Sequence, residues 1–168
     1  MLARFDFAIR LFTLFRLRVD IPCFFVGLQG QPVVAFSVYP EEPRNYTCET
    51  SEPAIFNVTE IDTTNSYDIT GQYFTCPITG IYMFSIAIRN NYGSPAQGAI
   101  HMERSSRAQV NCNDDSDDEI QISNQASNSV AITCDAGQRV WLRIWCNEDG
   151  RTSLTNGKLN MFTGFLIG

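Results

Sequence analysis

The sequence predicts an all-β domain, and three observations predict it. Helix formers are scarce through the body of the chain, whereas Val, Ile, Phe, Tyr and Thr recur in short runs. The clearest of these runs alternate apolar with other residues, the period that turns one face of a strand toward a core. Gly, Asn, Asp, Ser and Pro interrupt them at short intervals, as the turns of a sandwich or barrel require. A chain of 168 residues has room for one sizeable core. One globular domain over 33–168, preceded by an N-terminal extension over 1–32, is expected.

The extension comes first. In "MLARFDFAIRLFTLFRLRVDIPCFF" the arginines at 4, 10, 16 and 18 break every apolar run. It matches neither a secretory signal core of roughly 7–15 residues nor a transmembrane helix. We read it as an irregular leader on an incomplete chain, with a membrane-touching amphipathic segment as the alternative. Residues 27–32, "GLQGQP", are two collagen-like triplets with glycine at every third position; two cannot wind a triple helix.

From residue 33 the strands follow in order. "VAFSV" alternates and opens the domain, and "PAIFNVTEI" is the next candidate. The turn Asp68-Ile69-Thr70-Gly71 leads into "QYFTC". In "YMFSIAIRN" Tyr82, Phe84, Ile86 and Ile88 share one face. After Asn91-Tyr92-Gly93 comes "GAIHMER"; "SVAITC" is closed by Asp135-Ala136-Gly137. In "RVWLRIWCN" Val140, Leu142, Ile144 and Cys146 share the buried face, and "MFTGFLIG" is the last strand candidate.

Charge and cysteines narrow the function. The net charge is -6, and from residue 33 onward 8 basic residues face 16 acidic ones. Such a surface repels phosphate backbones, so nucleic acid is set aside as a partner. Six cysteines (Cys23, Cys48, Cys76, Cys112, Cys134, Cys146) show no CxxC pair, and there is one histidine. Disulfides are therefore expected rather than zinc, with 15 pairings open. The sequons at Asn45 and Asn57 fit a secretory route and are expected to be glycosylated.

One constellation is more specific: Phe56, Asp62, Tyr67, Phe74, Gly80, Tyr82 and Phe84, the last five within "YDITGQYFTCPITGIYMF". It closely resembles the signature of the C1q domain family, the globular heads of the complement recognition protein and its relatives. "VAFSV", "GQRVWLRI" and "FTGFL" resemble that family's opening, late and last strands, so the resemblance covers roughly 33–167. Ile86 stands where the signature has another aromatic, and Thr79 where the family often has Pro. Neither threatens the fold, since Ile86 keeps the face apolar and Gly80 keeps the turn.

The resemblance implies a ten-stranded jelly-roll sandwich of the tumour-necrosis-factor type, assembled as a homotrimer or with related chains. It implies a secreted, extracellular, multivalent recognition protein for protein or carbohydrate ligands, with innate-immune pattern recognition as the leading expectation. A cytokine-like or adiponectin-like signalling ligand and a structural matrix trimer are the alternatives. The triplets at 27–32 sit where collagen-bearing relatives end their stalk. Cys76 matches a frequent family cysteine and is expected as a buried thiol.

An enzyme is not expected. Any histidine mechanism would have to use His101, which points opposite Ile100 and Met102 and reads as a surface residue. No P-loop, HExxH or GxSxG occurs. No cofactor is expected; Asp114, Asp115, Asp117, Asp118 and Glu119 are the calcium candidates, in a run lacking EF-hand spacing. The resemblance puts calcium elsewhere, in a "GDQVWL"-like stretch that here reads "GQRVWL". Gln138 there brings an amide for a carboxylate, and Arg139 a fixed cation, which is expected to take over part of the ion's role by pairing with carboxylates across the trimer. Arg139, Trp141, Arg143 and Trp145 share one face, suited to a subunit interface or a ligand platform. The resemblance places this region in the packed trimer.

Overall fold

The computed structural model describes residues 32–47, 53–91, 95–112, 123–146, 151–155 and 157–168. The leader, the triplets, Cys23, Cys48 and the acidic run from Asp114 to Glu119 lie outside the described residues. Residues from Pro32 to Gly168 form one compact unit.

The described residues of this unit form twelve strands: β1 (Ala35–Tyr39), β2 (Arg44–Thr47), β3 (Val58–Asp62), β4 (Tyr67–Asp68), β5 (Tyr73–Thr75), β6 (Gly80–Arg89), β7 (Ala96–Met102), β8 (Ser105–Cys112), β9 (Gln125–Cys134), β10 (Arg139–Cys146), β11 (Arg151–Leu154) and β12 (Met161–Leu166). Ten of them form two five-stranded sheets, ordered β3-β1-β12-β6-β9 and β4-β5-β10-β7-β8. First and last long strands are neighbours, and the chain passes back and forth between sheets. This is the expected jelly-roll sandwich. A two-stranded ribbon, β2 with β11, is added to it.

The core lies between the sheets and is largely aromatic. Phe36 stacks on Phe74 with ring centroids 4.4 Å apart and meets Phe162 edge-on at 4.9 Å. Tyr82 stacks on Phe84 at 5.8 Å. Gly164, opposite Phe36 and Phe84 in register, has no room for a side chain: a Cβ there would meet Phe36 at 2.5 Å and Phe84 at 2.6 Å. The glycine is thus what lets the two rings close over β12.

Each signature residue has a visible structural task. Phe56, Phe74, Tyr82 and Phe84 are fully buried, and Tyr67 nearly so. The buried Tyr82 hydroxyl donates to the Ile78 carbonyl at 2.7 Å, satisfying its polar tip. Asp62 is the knot of the β3–β4 turn. Its carboxylate accepts from the backbone N–H groups of Ser66 at 3.1 Å and Tyr67 at 2.8 Å, around Asn65 in the left-handed region at φ 52°. A Cβ on Gly80 would come within 2.6 Å of Leu166, so the start of β6 can lie against the chain's last residues.

Two local expectations are corrected. "PAIFNVTEI" is a strand only from Val58. Residues 53–57 run extended and are held instead by the second sheet, where Ala54 N–H donates to the Leu142 carbonyl at 2.7 Å. Asn57 is half-buried, its amide oxygen accepting from Glu41 N–H at 3.0 Å. Cys76 is not a free thiol but is bonded to Cys134, joining the end of β9 in the first sheet to the segment after β5 in the second. Among the described residues Cys112 is a free, buried cysteine.

At the opposite end of β6 the buried amide of Asn160 replaces missing strand pairing. Its oxygen accepts from Arg89 N–H at 2.7 Å and its nitrogen donates to the Thr155 carbonyl at 2.6 Å. This pins the β11–β12 connection to β6.

Candidate functional site

Two surfaces stand out, one on the outer face of each sheet. In the first sheet the register places Ala35, Phe165, Met83 and Ala131 in one row across β1, β12, β6 and β9. Ile81 and Ile167 lie beside it, the Ile167 N–H donating to the Ile81 carbonyl at 2.7 Å. Phe165 (49 % exposed), Ile81 (49 %), Ile167 (54 %) and Val33 (75 %) are open to solvent, and Ile61 (47 %) lies one row away opposite Ser37. The patch gathers most of the large exposed apolar residues of the described chain on one end of one face. Contiguous apolar surface of this kind marks an interaction site.

The outer face of the second sheet is different in chemistry. There the predicted row on β10 is flanked in register by β5 and β7: Tyr73, Trp141 and His101 lie side by side, as do Trp145 and Gln97. The Arg139 guanidinium sits over the Tyr73 ring at 4.3 Å. His101 stacks on Trp141 at 6.0 Å and meets Trp145 edge-on at 6.5 Å. The Arg143 guanidinium lies 5.9 Å from the Trp145 ring centre, whose indole N–H donates to Gln97 at 2.6 Å. Contacts of a cation with an aromatic face stabilise by about 0.5–2 kcal/mol each. All four predicted residues are therefore together, Arg139 exposed and the other three half-exposed. Tyr73, Gln97 and His101, which complete the surface, come from strands that are distant in sequence and could be joined to them only by pairing.

His101 does point away from the core, as expected, but is half-covered by its neighbours. Burial, and then the Arg143 charge, push its pKa below the ordinary 6.5. The native imidazole takes up its proton only at a lower pH than the unfolded chain, which does so below about pH 6.5. Stability is therefore fully present above that pH and declines as pH falls. In His101→Gln this part of the acid slope should vanish, so that the melting temperature drops less between about pH 7 and pH 5 than in the wild type. An equal drop in both would contradict the assignment.

Beside Tyr73 an open groove of about 590 Å³ is lined by Asn65, Asp68, Ile69, Tyr73, Thr75 and Pro77, among others. The carboxylate in this lining, Asp68, accepts from Thr70 and Gly71 N–H at 2.9 Å each. The Gly71 N–H and the Tyr73 hydroxyl hold its pKa below the ordinary value. It is thus committed to its own turn, and the groove offers contact surface in place of an acid–base pair.

The "GQRVWL" stretch does not fit calcium. The Gln138 amide oxygen accepts from Asp135 N–H at 2.8 Å, and Arg139 brings a cation held against Tyr73 within its own chain. Among the described residues no group of three or more His, Cys, Asp or Glu could hold a metal ion. The sequon residue Asn45 is exposed on β2.

With the fold and both faces described, comparison with known proteins defines the class. The model of the C1q domain matches residues 35–167. The chain belongs to the C1q domain family. Among solved structures it is similar to the Eiger tumour necrosis factor of S. frugiperda, at TM-score 0.66 and 16 % identity, covering 82 % of this chain and 94 % of that one. It is similar to the globular domain of zebrafish complement 1qA at TM-score 0.62 and 20 % identity, covering 82 % and 98 %. Murine APRIL at pH 8.0 matches at TM-score 0.59 and 8 % identity, covering 81 % and 100 %. At these identities the structures testify to the fold. A search of curated proteins finds no match.

Membership places the chain among recognition or ligand-type proteins that are generally extracellular, typically non-enzymatic, and in a family in which trimeric assembly is usual. Among the described residues no helix is long and apolar enough to cross a membrane.

Proposed function

We propose that this chain is a secreted homotrimeric recognition protein that binds carbohydrate or other surface ligands in innate-immune pattern recognition. The carrying observation is the apolar patch around Phe165 on the outer face of the first sheet. A monomer gains nothing from holding Phe165, Ile81 and Ile167 in water, whereas burial against other copies returns roughly 25 cal/mol for each Å² covered. The Cys76–Cys134 bridge supports an oxidising, extracellular setting. Assembly through the first sheet leaves the second facing outward in three copies, and multivalent contact of that kind suits repetitive surfaces.

Light scattering after size-exclusion chromatography should give the mass of three 18.9 kDa chains. Phe165→Glu, which would bury a carboxylate at each contact, should yield folded monomers. A monomeric wild type would remove the trimer from the proposal. Binding of the trimer to microbial polysaccharide should be competed by free sugar. Saturable binding to a host-cell receptor that free sugar leaves untouched would favour a signalling ligand instead.

A further inference from the structure

The outer face of the second sheet carries an inference about the ligand. Its cations are out of keeping with a chain of net charge -6. Arg139 and Arg143 stand on β10, and the bulge in β8 next to His101 brings Arg107, exposed, to the same region. None of the three has an ion pair among the described residues, where the salt bridge is Lys158 with Glu60 at 2.8 Å; Arg139 feels the Asp68 carboxylate, whose pKa its charge helps to lower, without pairing with it. Arg143 is the most telling. It stands opposite Ala99 in register, and Ala99 is fully covered although it lies outside the core between the sheets. The Arg143 Nε is itself buried, with no hydrogen-bond partner. A buried donor without a partner costs about 1–3 kcal/mol, a cost relieved when a ligand draws the guanidinium outward so that Nε reaches an acceptor.

The aromatic groups set the second requirement. Tyr73, Trp141, His101 and Trp145 stand half-exposed beside the guanidiniums, the His101 ring near-parallel to that of Trp141 at 22° and upright to that of Trp145 at 85°. The C–H-bearing face of a pyranose ring packs on such planes, and guanidinium forks take carboxylate or sulfate oxygens in pairs. A membrane surface fits less well. The large exposed aliphatic residues that could enter a bilayer are not on these strands; most lie on the opposite sheet.

We propose that this face binds acidic glycans, saccharide chains bearing carboxylate or sulfate, with Arg139 and Arg143 holding the anions and Trp141 and Trp145 the sugar rings. The proposal rests on the recognition reading above and names its ligand class. It also reassigns the β10 row from packed trimer to outward platform.

The chain offers a reporter that needs no mutation. It has two tryptophans, and both are on this face. Titration of the full chain with heparin octasaccharide should change tryptophan fluorescence saturably, more weakly as salt rises. Hyaluronan oligosaccharide, which carries carboxylate without sulfate, separates the two anion types; a response to either supports the proposal. Arg143→Gln and Arg139→Gln should each weaken binding roughly tenfold or more, the loss of one charge-assisted pair. Arg143→Lys should recover part of it, and Lys158→Gln, the same charge change on another part of the surface, should leave it unaltered. A silent fluorescence titration with both acidic glycans would overturn the proposal. So would an equal response to neutral dextran, an equal loss in Lys158→Gln, or saturable binding confined to anionic vesicles. If the acidic glycans fail while neutral microbial polysaccharide still binds, recognition stands and this platform falls. Failure of every polysaccharide removes both.

Discussion

Replacing Phe36 by Ala should remove about 3–5 kcal/mol of folding stability, the usual cost of deleting a buried phenylalanine ring. The ring is 1 % exposed and touches aromatic rings of both sheets, Tyr67 and Phe74 on one side and Phe84 and Phe162 on the other. Deleting it opens a cavity between layers that rigid neighbours cannot close by rotating. Against a total of about 5–15 kcal/mol for a domain of this kind, the loss is large. Chemical denaturation at fixed protein concentration, needed because assembly adds to apparent stability, should show a much lower midpoint. Ile55→Ala, on an exposed side chain, should stay within about 0.5 kcal/mol. Comparable losses at both positions would contradict the packing described.

The Cys76–Cys134 bridge carries the second large effect. It closes a loop of 58 residues, for which the chain-entropy relation gives about 4 kcal/mol of stabilisation through the unfolded state. Cys76→Ser with Cys134→Ser should therefore melt on the order of 10 °C lower than the wild type. Both positions are fully buried, so two hydroxyls would also have to find partners. A double variant that melts within about 2 °C of the wild type would show that the bridge does not restrain the unfolded chain in this way.

How far the sequence could be read varied by strand, for a physical reason. β6 and β10 were legible because each has one face fully apolar: Tyr82, Phe84, Ile86 and Ile88 in one, Val140, Leu142 and Ile144 in the other. β8 escaped notice. It is an edge strand whose buried side offers only Ala108, Val110 and Cys112 among exposed polar residues. β2, β4 and β11, of two to four residues, are too short to show a period and exist because a partner strand is there to pair with. Asn160 and Asn90, fully buried, carry no local sign of it, since an amide's value depends on the backbone groups brought to it.

For the candidate site the same division holds. The run of Arg139, Trp141, Arg143 and Trp145 on one face was legible from alternation alone. His101, Tyr73 and Gln97 join it from register partners 40 to 68 residues away in sequence, across β5, β10 and β7. The apolar patch was not legible at all: Phe165, Ile81, Ile167 and Val33 come from strand ends far apart in sequence and meet only through the register of β1, β12 and β6.

By itself, then, the sequence determined an all-β sandwich of one family, the aromatic residues that fill it, and which side chains of each strand stand together. That much follows from a period of two residues, which is local. The tertiary structure alone decided that, among six cysteines, Cys76 pairs with Cys134. It also decided that the apolar patch and the arginine–tryptophan platform lie on opposite sides of the sandwich. Both depend on which strands become neighbours. That choice is made by burial and backbone pairing summed over the whole chain, and no window of sequence contains it.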